Sequence, residues 1–162
     1  MTGNADQARA LAELAKTLKT TAEGKDTLRR LRKELRKEAE PMRKSVQRAA
    51  LGLPSDGENA RRGRPSLRRT LSRASRVKVS FSRRTAGVMV VTGPGGMPEG
   101  TKGLPPYIEG EGPWRHPVWG RDQWVRQQAM PFFYPAIRPH EASAPAAGER
   151  VLDQLIKEIE SS

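Results

Sequence analysis

Seven apolar residues, Leu28, Leu31, Leu35, Ala39, Met42, Val46 and Ala49, recur at steps of three or four through a highly charged stretch. Steps of that size place them on one side of an α-helix, since 3.6 residues make a turn. The other faces carry Arg29, Arg30, Arg32, Lys33, Glu34, Arg36, Lys37 and Glu38. Such a rod must press its narrow stripe against something, either its own domain or a partner helix. The spacing predicts a long amphipathic helix over 26–51, N-capped by Asp26 and stopped by Gly52 and Pro54. Pro41 lacks an N–H. Because the stripe continues in phase beyond it, a kink rather than an end is expected there.

The rest of the chain reads as shorter elements around this rod. Leu11, Leu14 and Leu18 share one face of a short helix over 6–18, interrupted by Thr20, Thr21, Glu23 and Gly24. Residues 54–65 form a polar loop. Val77, Val79 and Phe81 alternate with Lys78, Ser80 and Ser82, the pattern of a half-buried strand; a turn over 82–85 and a second strand over 87–92 complete a hairpin spanning 76–92. Pro and Gly between 93 and 106 mark a long irregular connection. A C-terminal helix over 145–160 presents Val151, Leu152, Leu155, Ile156 and Ile159, after an Ala/Pro-rich linker at 142–148. The expected fold is α+β, with the long N-terminal helix and the C-terminal helix packed on a small antiparallel sheet and long loops between. Residues 1–24 read as a short helix and linker, and 25–162 as a single α+β domain.

Only 5% of the residues are aromatic, and the stretch 107–137 concentrates them. Trp114, His116, Val118 and Trp119 precede Gly120, where the chain can turn. Asp122 is placed to cap a short helix carrying Trp124, Val125 and Gln128, which Pro131 would end before Phe132, Phe133 and Tyr134. With three Phe in the whole chain, Phe132 and Phe133 are expected to carry much of the core. A fully buried side chain of that size contributes roughly 1.5–3 kcal/mol.

The formal charge is +12 and the isoelectric point about 10.8, which points to a polyanion or an acidic protein surface as neighbour. Ten of the positive charges lie between Arg61 and Arg84, with no acid among them. The candidate partner-binding residues there are Arg61, Arg62, Arg64, Arg68, Arg69, Arg73, Arg76, Arg83 and Arg84. No aromatic residue is interleaved between 61 and 76 to stack a base, so acidic protein partners are favoured over direct nucleic-acid recognition.

Little suggests catalysis. Without cysteine there is no disulfide framework or thiolate zinc site, and two His, His116 and His140, make a weak metal site. No Gly-x-Ser-x-Gly elbow is present, and the Gly93–Gly96 run lacks the Lys-Ser/Thr of a phosphate-binding loop. His116 reads as a packing or hydrogen-bonding residue. Glu109 and Glu111, two apart in a Gly-rich loop, are expected to meet Arg residues. No catalytic, cofactor-binding or metal-binding residue is assigned, and neither a cofactor nor a membrane partner is expected. No apolar run is long enough to span a bilayer, and residues 1–8 lack a signal-peptide pattern. The chain is expected to stay where it is made or in a particle assembled there.

Several short motifs occur in an order that resembles the tail-completion or neck protein family of long-tailed double-stranded DNA phages, also described as minor tail or head–tail connector proteins. After the leucine-patterned basic helix come Ser66-Leu67-Arg68-Arg69-Thr70-Leu71, then Pro106-Tyr107-Ile108-Glu109-Gly110. Arg115-His116-Pro117-Val118-Trp119-Gly120 looks like the version in actinobacteriophage members, and Met130-Pro131-Phe132-Phe133-Tyr134-Pro135-Ala136 precedes the last helix. Met130 stands where the family carries Arg. The resemblance spans about Leu11 to Ile159. It implies a non-catalytic subunit of a ring, sixfold as a rule, joining a head-side connector or stopper to a tail terminator or tail tube around the DNA channel. The implied location is the virion neck or tail, assembled in the host cytoplasm, with DNA passing through and no sequence-specific contact. Leu28, Leu35, Trp119, Phe132 and Phe133 are then the residues expected to matter for folding or assembly. The charge leaves open a basic nucleic-acid-binding protein, and the motifs leave open a tail terminator or capsid-side adaptor.

Overall fold

The computed structural model describes residues 3–20, 22–54, 66–82, 84–117 and 123–160. The fold is α+β. In chain order the elements are α1 (Gly3–Leu18), α2 (Ala22–Glu38), α3 (Glu40–Gly52), α4 (Leu67–Ala74), β1 (Ser75–Ser80), β2 (Gly87–Thr92), a 3-10 turn (Pro94–Gly96), α5 (Leu104–Glu109), β3 (Trp114–Pro117), β4 (Trp124–Gln127), α6 (Phe133–Glu141) and α7 (Ala144–Glu160). The strands form two separate two-stranded ribbons, β1–β2 and β3–β4. The chain gathers into two compact units of discontinuous segments: residues 1–41, 77–90 and 140–162 in the first, and 42–76 and 91–139 in the second.

The predicted long helix is two helices. A proline inside a helix removes one hydrogen bond and drives its ring into the carbonyl four residues back, here that of Lys37. The chain yields one residue at Ala39, whose N–H still reaches Leu35 O at 3.2 Å. It restarts with Pro41 in the first turn of α3, where a missing donor costs nothing. The apolar stripe survives the break but serves two cores. Leu28, Leu31 and Leu35 are buried in the first unit, and Val46 and Ala50 in the second. Asp26 is not a cap: α2 begins at Ala22, and Asp26 lies inside it, paired to Arg29 at 2.7 Å.

In the first unit α1, α2 and α7 pack with the tip of the β1–β2 hairpin. The core is Ala15, Leu28, Leu31, Leu35, Phe81, Val151 and Leu155, flanked by Leu11, Leu18, Val79 and Leu152. The Arg32 guanidinium lies 5.2 Å from the Phe81 ring centroid, so one residue of the charged face helps close the core. Arg150 of α7 reaches Glu38 of α2 at 3.6 Å. Around the hairpin turn Ser82 and Thr85 hydroxyls meet at 2.7 Å, and Gly87 sits at φ 138°, a backbone region that side chains disfavour. The linker expected over 142–148 shrinks, because α7 begins at Ala144.

The second unit combines side-chain hydrogen bonds with apolar contact. Ser66 caps α4, its Oγ accepting from Arg69 N. Gln47 of α3 donates to Ser72 O at 3.0 Å, and Arg68 donates to Leu53 O at 3.2 Å, satisfying a carbonyl just past the end of α3. Buried Ser75 meets Leu71 O at 2.9 Å and the Thr92 hydroxyl at 2.7 Å. The Gly93–Gly96 run has a packing reason. A Cβ at Gly96 would lie 2.9 Å from Ala74 Cα, and one at Gly95 would meet the Arg76 guanidinium at 3.1 Å. Leu71, Ala74, Met97, Ile108 and Phe132 are buried in this unit.

Candidate assembly surface

The sequence around Glu109 is organised by the donors at the start of α6. A helix leaves its first N–H groups without partners inside the helix. Here the Glu109 carboxylate, at the end of α5, accepts from Phe132 N and Phe133 N at 3.0 Å each and from Tyr134 N at 2.9 Å. The next residue, Pro135, has no N–H to satisfy. Met130 N donates to Ile108 O at 2.8 Å and fastens the same two segments. Glu109 therefore does not meet an Arg as expected. Three converging amides and a helix N-terminus supply the positive environment instead, while Glu111 remains exposed. The signal in the sequence was Pro135 itself, which leaves one first-turn donor fewer, so a single carboxylate serves the rest.

Glu109→Ala is expected to cost about 2 kcal/mol, the size of a lost charged cap. Loss of amide-exchange protection concentrated in α6 checks this. Glu109→Gln should recover part of the loss, since only one of its two terminal groups accepts.

Past Glu109, β3 and β4 pair antiparallel, with Trp114 opposite Gln127, Arg115 opposite Arg126, His116 opposite Val125 and Pro117 opposite Trp124. The expected helix at Trp124–Gln128 is a strand. Trp, Val and a facing strand in register suit a pleated ribbon better than a short, isolated helix turn. Alternation splits the ribbon into two faces. On one, Trp114 is half-buried and stacks on Tyr107, with ring centroids 5.5 Å apart. On the other, Arg115, Arg126 and Trp124 are all exposed, and the Arg115 guanidinium lies 5.9 Å from the Trp124 ring centroid. Period-two spacing on both sides of Gly120 was the available signal for this face.

At α6, Phe132 is buried and Phe133 half-buried, their rings meeting edge-on at 6.5 Å. Tyr134 beside them is 63% exposed. A shallow apolar groove of about 460 Å³ is lined by Ala49, Leu53, Met130, Phe132, Pro135 and Ala136, among others. Of the other residues singled out in the sequence, Leu28 and Leu35 are buried in the first unit. Trp119 lies outside the described residues, as do Arg61, Arg62, Arg64 and Arg83.

The described arginines of the basic tract differ in their surroundings. Arg68 is half-buried on Leu53 O, and the Arg76 guanidinium lies against Gly95. Arg69 and Arg73, four apart on α4, are exposed, as is Arg84. Among the described residues no group of three or more His, Cys, Asp or Glu is placed to hold a metal ion, and no helix is long and apolar enough to cross a membrane. Comparison with protein-family models, curated proteins and solved structures gave no match.

Proposed function

We propose that this chain is a non-catalytic structural subunit of a phage neck or tail end, one of a ring of copies joining the head-side connector to the tail around the DNA channel. The observation that supports it best is the meeting of two motifs, Pro106–Gly110 and Met130–Ala136, through the Glu109 carboxylate. These segments carry much of the resemblance to neck proteins, and their contact gives both a shared physical task. Tyr107 and Tyr134 are each more than half exposed in the same unit. Exposed aromatic residues are typical anchors at protein interfaces, which suits a subunit that contacts copies of itself, a stopper, and a tail terminator or tube protein.

Electron microscopy of particles carrying a tagged chain tests the reading. Rotationally averaged density for the tag at the head–tail junction is expected, and Phe132→Ala should leave heads and tails unjoined. A tag found only in the host cytoplasm, bound to nucleic acid and absent from particles, would overturn it in favour of a basic nucleic-acid-binding protein.

A further inference from the structure

We propose that the outer face of the β3–β4 ribbon is a binding site for a single-stranded polynucleotide, with Arg115 and Arg126 on its phosphates and Trp124 under a base. The inference is independent of the ring reading.

Three observations carry it. First, Arg115 and Arg126 are direct cross-strand partners. Like charges so placed disfavour the ribbon, and among the described residues neither guanidinium is paired to a carboxylate. A phosphate between two guanidinium forks removes that repulsion, because each fork can donate to its oxygens in pairs. Second, Trp124 is 57% exposed and lies on the next same-face position after Arg126, about 7 Å along the strand. A flat ring beside a phosphate contact is the arrangement that strand-binding proteins use for bases of any sequence. Third, the charge of +12 makes a second copy of this chain a poor occupant of a face already doubly positive.

Two other ligands fit less well. An acidic peptide would engage both Arg residues but make no use of the exposed Trp124 ring, which Arg115 flanks at 5.9 Å. A duplex keeps its bases stacked inside, where Trp124 cannot reach them. Aromatic residues missing from the Arg61–Arg76 tract are thus supplied on a different element, where guanidinium and indole share one surface.

The test is fluorescence anisotropy of a labelled oligothymidylate titrated with the full-length chain at several salt concentrations. Trp124→Ala is expected to weaken binding about tenfold or more, and Trp124→Phe to retain most of it. Arg115→Gln and Arg126→Gln should each lower the salt dependence by roughly one unit of log–log slope. Arg126→Glu is the discriminating variant. It sets an acid opposite Arg115, which preserves the ribbon, yet it should weaken binding far more than Arg36→Glu, the same charge change on exposed α2. Wild-type affinity in Trp124→Ala, equal losses in the two Glu variants, tighter binding to duplex, or competition by polyglutamate at equal charge would each overturn the site. The measurement uses the isolated chain, so its failure leaves the neck proposal standing, and failure of that proposal leaves this one standing.

Discussion

Phe132→Ala is expected to destabilise the second unit by about 3–5 kcal/mol, the usual cost of removing a buried Phe. Phe132 is almost wholly buried and stands at the entry to α6. Its ring also meets Phe133 edge-on, a geometry that adds to area burial alone. The substitution removes the ring but keeps the backbone N–H that donates to Glu109. It therefore separates the apolar part of this junction from the polar part. Urea unfolding gives the magnitude, and amide exchange over 104–109 and 133–141 gives the location. A loss below about 1 kcal/mol, typical of surface positions rather than cores, would show that the ring closes no core.

Leu31→Ala is expected to cost about 2–5 kcal/mol in the first unit. Leu31 is fully buried among Ala15, Leu28, Leu35, Phe81, Val151 and Leu155, contributed by three helices and the hairpin tip. A cavity there is bounded on several sides by other elements and has little room to collapse. Leu14 offers the contrast. It belongs to the same kind of leucine stripe but is exposed, so Leu14→Ala should change stability by about 0.5 kcal/mol or less. Amide exchange in α1, α2 and α7 should rise for Leu31→Ala alone. Equal effects from the two substitutions would contradict the assignment of the core.

Periodic segments were legible because their signal is local. The leucine steps of α1 and α2, the alternation of β1 and the apolar face of α7 each follow from which side of one element can leave water. The hairpin at 76–92 was readable for the same reason, with polar residues between an alternating run and a short apolar one. Junctions were harder. Whether Pro41 kinks a helix or divides it depends on whether the two halves of the stripe have one core to face or two, and no local pattern records that. The strand at Trp124 was mistaken for a helix because four residues hold barely one helical turn, and its partner β3 decides the outcome.

For the candidate site the division is similar. The sequence identified the aromatic stretch, Glu109 and the Pro-Phe-Phe motif as unusual, but it assigned the carboxylate to arginine. Charge suggests an arginine partner whenever a chain is this basic, whereas backbone donors carry no letter in the sequence. Of the nine arginines grouped by proximity along the chain, the described ones do different things: Arg68 holds Leu53 O, the Arg76 guanidinium lies against Gly95, and Arg69, Arg73 and Arg84 are exposed.

By itself, then, the order of residues determined which faces of which helices and strands are apolar, and with them the α+β class, since those depend on neighbours a few positions away. Only the tertiary structure decided that the leucine stripe serves two cores, that Glu109 holds the start of a helix more than twenty residues downstream, and that Arg115, Arg126 and Trp124 share one surface. Each of these is a contact between segments far apart in the chain, whose free energy depends on geometry that exists only after the intervening residues have folded.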